Sequence, residues 1–218
     1  MKIPKYWASE LQHIKDSRGH ALALKCWRWS NESLAAAQAA ARERINTVAQ
    51  TLQNGDDLNR YSYGERPLRE EIIQTINDDT IITRNGYGAL VLNTARVMFI
   101  DIDLKEAKPK GLFSKPTPNA FEATQARLET WVNRNTGWGM RVYRTKGGVR
   151  CIATHNLFEP DSTETQSVLK ELESDPLYIT LCRQQKCFRA RLTPKHWRCD
   201  LPKPPARYPF ETPQDEAH

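Results

Sequence analysis

The sequence lacks a long apolar run. Stretches such as Val97-Met98-Phe99-Ile100 meet a charge after four or five residues, far short of the roughly 20 that a membrane-spanning helix requires. Nor does an apolar segment follow the basic start Met1-Lys2-Ile3-Pro4-Lys5, so a secretory leader is not expected and the cytoplasm is the expected location. No C-x-x-C pair occurs, and the five cysteines (Cys26, Cys151, Cys182, Cys187 and Cys199) are odd in number and irregular in spacing. That pattern disfavours a disulfide framework and a zinc knuckle, including one drawn from Cys182, Cys187, Cys199 and His196, and points to reduced, mostly buried thiols. No internal repeat is visible.

Acidic residues are missing from two windows. Between Arg141 and Arg150 stand Arg141, Arg144, Lys146 and Arg150 with no acid, and between Arg183 and Arg198 stand Arg183, Lys186, Arg189, Arg191, Lys195 and Arg198, again with none. These ten cations exceed the net charge of the whole chain, +6 over 218 residues, so the rest is slightly acidic and the basicity is focused. Focused positive charge attracts phosphate-bearing partners and releases their counterions; the plainer alternative is a set of solvated strand faces. With 39 % hydrophobic and 27 % charged residues, the composition is that of a globular chain able to bury a sizeable core.

Local patterns predict an α+β fold. Residues 21–30 read as a strand, and an apolar stripe through Leu34, Ala41, Ile45, Val48 and Leu52 predicts a long helix capped by Ser30 or Asn31 and stopped at Asn54-Gly55. A polar, tyrosine-rich loop over 56–65 precedes a predicted helix over 67–77 with Pro67 in its first turn. Short strands at 80–84 and 88–93 flank Asn85-Gly86, a hairpin signal. Next come a strand at 96–104, a loop at 105–119 with three prolines and four lysines, and a helix over 121–134. Strands at 140–145 and 149–155 are joined by Lys146-Gly147-Gly148, glycines suited to positive φ. A helix capped by Asp161 or Ser162 follows, then another over 177–184 and a last strand at 188–193.

From residue 96 onward this order is β-α-β-β-α-β, a split arrangement with a four-stranded, mainly antiparallel sheet and both helices on one face. The organisation expected is an N-terminal α/β part (1–95) packing on a core (96–200), then a proline-rich tail (201–218), as one compact domain.

Three elements could carry chemistry. On strand 96–104, period two puts Asp101 and Asp103 on one face, where two carboxylates need a cation or an arginine between them. Such a pair can hold Mg²⁺ or Mn²⁺ against a triphosphate, or simply salt-bridge neighbouring arginines. The turn Thr145-Lys146-Gly147-Gly148-Val149-Arg150 offers close backbone approach, a hydroxyl and two cations to phosphate oxygens, with Arg144 beside it. The strand at 188–193 places Arg189 and Arg191 on one face, costly to desolvate unless they meet carboxylates or phosphates; Lys195 extends that charge. Trp197, Trp27 and Trp29 could stack bases or fill a core, and His155 is read as structural or as an accessory base.

The order and motifs resemble the archaeo-eukaryotic primase superfamily, whose catalytic half is an RRM-like palm. Phe99-Ile100-Asp101-Ile102-Asp103 is similar to that family's strand ending in D-h-D, and Thr145-Lys146-Gly147-Gly148-Val149-Arg150 to its hairpin S-G-x-G-x-H. The resemblance covers residues 96–195. It implies a nucleotide- or nucleic-acid-binding protein, with metal-dependent nucleotidyl transfer in which Asp101 and Asp103 hold Mg²⁺ or Mn²⁺ and a nucleoside triphosphate or nucleic acid is the partner. Two departures stand out. Arg150 occupies the place of a nucleotide-contacting histidine, and Arg189 and Arg191 stand where a third acid is usual. The same residues would also suit a non-catalytic nucleic-acid-binding module or a protein-interaction subunit.

Overall fold

The computed structural model describes residues 1–58, 67–104 and 119–217. It is an α+β structure with antiparallel strand pairs. The chain divides into two compact units, one built from Met1, Ile76–Ile81 and Leu92–Ala190, the other from Lys2–Thr75, Ile82–Val91 and Arg191–His218.

The second unit opens with β1 (Tyr6–Lys15) and β2 (Ala21–Ser30), paired antiparallel from Tyr6↔Ser30 to Lys15↔Ala21. β1 is absent from the expected elements. Asp16 closes their turn by accepting from the backbone N–H groups of Arg18 and His20, at 2.9 and 2.8 Å, which holds its carboxyl below the usual range. The long helix α1 (Leu34–Asn54) forms as the apolar stripe predicts, burying Ala37, Ala41, Ile45 and Ala49 at four-residue spacing. Its N-cap is Ser33, which accepts from Ala36 N–H, and it ends at Gly55 in the left-handed region.

Residues 67–77 are not helical. They contain β3 (Glu71–Asn77), which heads a four-stranded sheet of order β3-β4-β5-β9 with β4 (Thr80–Arg84), β5 (Leu90–Thr94) and β9 (Phe188–Arg191). The spacing of Leu68, Ile72, Ile73 and Ile76 suits either period. The β-branched Ile72, Ile73, Thr75 and Ile76 and the tight Asn77-Asp78-Asp79 turn, where Asn77 Oδ1 accepts from Asp79 N–H at 3.0 Å, favour the hairpin. The loops expected at 56–65 and 105–119 lie largely outside the described residues.

The first unit holds a three-stranded sheet of order β6-β8-β7, made of β6 (Phe99–Asp103), β7 (Met140–Arg144) and β8 (Gly148–Ala153). Alternate residues Ile100, Ile102, Val149 and Cys151 are buried in one core with Leu128 and Trp131 of α2 (Ala120–Arg134) and Val168 and Leu169 of α3 (Thr163–Glu171). α4 (Pro176–Gln185) follows α3 after a four-residue corner. The tail carries a 3-10 turn at His196–Arg198 and the short α5 (Pro213–Ala217).

β9 does not complete this sheet as the split β-α-β-β-α-β reading expects; it pairs with β5 instead. The reason is that the free edge of β6 is already occupied. Ser174 Oγ donates to the Asp101 carbonyl (2.9 Å) and accepts from its N–H (3.2 Å), and Asp175 N–H donates to the same carbonyl at 2.8 Å. The Tyr178 hydroxyl donates to the Phe99 carbonyl at 3.1 Å. The corner between α3 and α4 thus takes the hydrogen bonds that a fourth strand would make.

That corner has a local cause. Glu173 sits at φ +58, and the bonds Glu173 N–H to Lys170 O (3.0 Å) and Ser174 N–H to Leu169 O (2.9 Å) form a Schellman ending for α3. Glu173 takes the left-handed position usually given to glycine, and in doing so turns Ser174 and Asp175 onto β6. Asp175 then caps α4 by accepting from Tyr178 N–H, with Pro176 in the first turn.

Candidate functional site

The first carboxylate of the strand motif is held by an arginine. Asp101 and Arg150 are directly opposite on β6 and β8, and Arg150 Nη2 lies 3.0 Å from Asp101 Oδ2. The arginine side chain is 16 % exposed and the carboxylate 33 %, so each would leave a largely desolvated charge if its partner were removed. Tyr143 of β7 lies across from Arg150 on its other side, giving a row Asp101–Arg150–Tyr143 across the outer face of the sheet.

Asp103 lies one pleat further on the same face, opposite Gly148, and is exposed. Gly148 is required for close approach and not, as the sequence reading has it, for positive φ: a Cβ there would overlap the Ile102 carbonyl oxygen and crowd Asp103 Cα. The hairpin turn is closed by Thr145 N–H donating to Gly148 O (2.9 Å), and Leu104 N–H, just beyond β6, donates to Gly147 O (3.1 Å). This brings Thr145, Lys146, Gly147 and Gly148 to the end of the strand that bears Asp103.

The remaining cations of this hairpin are loosely held. Arg141, Arg144 and Lys146 are exposed, and none makes an ion pair among the described residues. Arg144 lies over the Phe121 ring at 5.3 Å, on the helix-covered face. Arg141 and Tyr143 share the outer face with Arg150, and Tyr143 is 45 % exposed.

Arg189 belongs to the same unit. Burial drives the pKa of the Tyr178 hydroxyl well above the ordinary phenol value, against the opposing effect of the Arg189 backbone. Cys182 responds to both Asp101 and Arg189, though burial is the main cause that pushes its thiol up to about 12; burial also raises Cys151 to about 11. The three buried cysteines, Cys151, Cys182 and Cys187, are thiols, as expected. Arg191 and Lys195 belong to the second unit. There Lys195 Nζ lies 4.8 Å from the Trp197 ring and 5.7 Å from that of Tyr87, and Trp197 is exposed rather than buried.

Trp27 and Trp29 are partly buried, with Lys25 and Arg69 over Trp27 and Arg28 over Trp29. His155 packs 4.3 Å from Trp138, within a ring cluster that includes Phe158 and Trp131, which favours its structural reading.

A divalent cation fits this arrangement poorly. Among the described residues no three His, Cys, Asp or Glu side chains converge, and one oxygen of Asp101 faces a guanidinium that repels a metal ion. No family model, curated protein or solved structure matches the chain. No helix among the described residues is long and apolar enough to cross a membrane.

Sequence reasoning missed the Ser174-Asp175 contribution. Its only signal is Asp175-Pro176, a capping dipeptide before a helix, which does not reveal that the same corner docks on a strand seventy residues earlier.

Proposed function

We propose that the protein binds nucleic acid through the β7–β8 hairpin and the adjoining outer face of the sheet. The observation that carries this reading is the Asp101–Arg150 pair: it balances one of the two acids on the facing strand, so Arg141, Arg144 and Lys146, on strands and a turn that carry no acid, outnumber the exposed Asp103. Guanidinium and ammonium groups on a shallow sheet suit phosphate oxygens, and an exposed tyrosine among them offers a stacking surface for a base. Arg150 acts as a positioning residue that keeps Asp101 from neutralising its neighbours.

Metal-dependent nucleotidyl transfer needs Asp101 to exchange Arg150 for a cation, and this makes it the weaker proposal. The test is fluorescence anisotropy of a labelled single-stranded oligonucleotide with the full chain over a series of salt concentrations. Binding should weaken steeply with salt, be unaffected by EDTA, and fall at least tenfold in R141A/R144A/K146A, with a salt slope smaller by about 2–3. Unchanged binding in that variant overturns the interface. Binding that requires Mn²⁺ and a nucleoside triphosphate, and is lost in Asp101→Asn, replaces it with the transfer chemistry.

A further inference from the structure

Within the first unit, the end of β6 and the starts of α2 and α4 enclose a cleft of about 980 Å³, at the upper end of the roughly 300–1,000 Å³ typical of small-molecule sites. Its apolar surface comes from Ile102, Leu104, Pro176 and Ile179, and Ala120 and Ala123 leave room where larger side chains would close it.

Three acids and three cations line the cleft, and they are not equally engaged. Glu173 pairs with Arg127 at 3.4 Å, and Arg127 also donates to the Leu172 carbonyl at 3.4 Å. One oxygen of Asp175 accepts from Tyr178 N–H at 2.9 Å. Lys170 of α3 and Arg183 of α4 reach the same cleft from different helices and make no ion pair among the described residues. Arg183 stands two turns into α4 from Pro176, on the same face as Ile179. Two cations beside an apolar floor suit a ligand with a dianionic end and a nonpolar body.

We propose that this cleft binds a small phosphomonoester with an apolar or aromatic body, its phosphate held by Lys170 and Arg183 and its body against Ile102, Leu104 and Ile179. The site uses none of the hairpin cations, so it stands apart from the nucleic-acid reading and can fail without it.

The probe is 4-fluorophenyl phosphate, followed by ¹⁹F NMR on the full chain, with 4-fluorophenol and inorganic phosphate as the two half-ligands. The intact probe should bind at least tenfold more tightly than either half, because only it engages both surfaces. K170A/R183A should weaken it at least tenfold. Both residues are exposed, so the fold should survive, and an unchanged thermal transition checks this. Ala123→Leu, which narrows the cleft, should weaken the probe and 4-fluorophenol alike, while R141A/R144A/K146A should leave both unchanged. No binding of the probe by the wild-type protein, equal binding of probe and half-ligands, or binding that survives both cleft variants would overturn the proposal.

Discussion

The two edges of the three-stranded sheet are built on opposite terms. Along β6 the polar groups of Phe99 and Asp101 are engaged by Tyr178, Ser174, Asp175 and Arg150. Along β7 the side chains at 141–144 are exposed and the strand has a neighbour on one side only. Burial of a polar edge requires every group to find a partner, whereas an exposed edge carrying cations both resists pairing with other strands and remains available to a ligand. The acidic strand that first draws attention is therefore the structural side, and the basic hairpin is the side we propose to be functional.

The contrast is open to attack, beginning at the point where the two sides meet. Gly148→Ala should be the most damaging single change, costing about 3 kcal/mol or more in urea unfolding, because its methyl would meet the backbone of β6 rather than a side chain able to rotate away. A near-neutral result would mean that β6 and β8 can separate, and the locked side is not locked.

Arg150→Met and Asp101→Asn should each destabilise by about 2 kcal/mol, by leaving the partner half-buried without its counter-charge. The double variant should cost less than the sum of the two, and additive losses would show that the pair is not coupled.

Alkaline pH should weaken the locked side next. The Cys182 thiol is raised to about 12 in the folded chain, while an unfolded thiol ionises near about 8.5. Its contribution is thus fully present below that value and is lost as pH rises towards 12, on the order of 1–2 kcal/mol by pH 10. Thermal unfolding at pH 7–10 should show this slope, and it should be shallower in Cys182→Ala.

Ser174→Ala should cost about 1 kcal/mol by leaving the Asp101 N–H without its acceptor, and hydrogen exchange should quicken at Asp101 before it does in β8. The smallest effect belongs to the loose side. R141A/R144A/K146A should change stability by no more than about 0.5 kcal/mol, whatever it does to oligonucleotide binding.

What the sequence disclosed follows the range of each signal. α1 was legible because its stripe and Gly55 stop are local, although its cap is Ser33 and not the expected Ser30 or Asn31, and β6 to β8 because period two and the Lys146-Gly147-Gly148 turn are local too. The Asp101–Arg150 pairing was foreseeable as the plainer fate of the two aspartates, since Arg150 stands on the next strand of the same sheet. The partner of β9 was not. The alternation of Phe188, Arg189, Ala190 and Arg191 is the same whichever sheet the strand joins; with the edge of β6 already occupied, its place beside β5 is fixed by Leu192 N–H bonding Leu90 O (2.8 Å) and Thr193 Oγ1 accepting from Leu90 N–H (2.8 Å), about a hundred residues away in the chain. β3 was misread as a helix because Pro67 opens either element equally well.

The uneven burial of the thiols has a practical consequence. Cys199 is exposed, while Cys151, Cys182 and Cys187 are buried. A maleimide added under native conditions should take Cys199 at the rate of a free thiol and offer a place for a dye in the second unit. The slow modification of Cys182 and Cys187 would then clock how often the first unit opens.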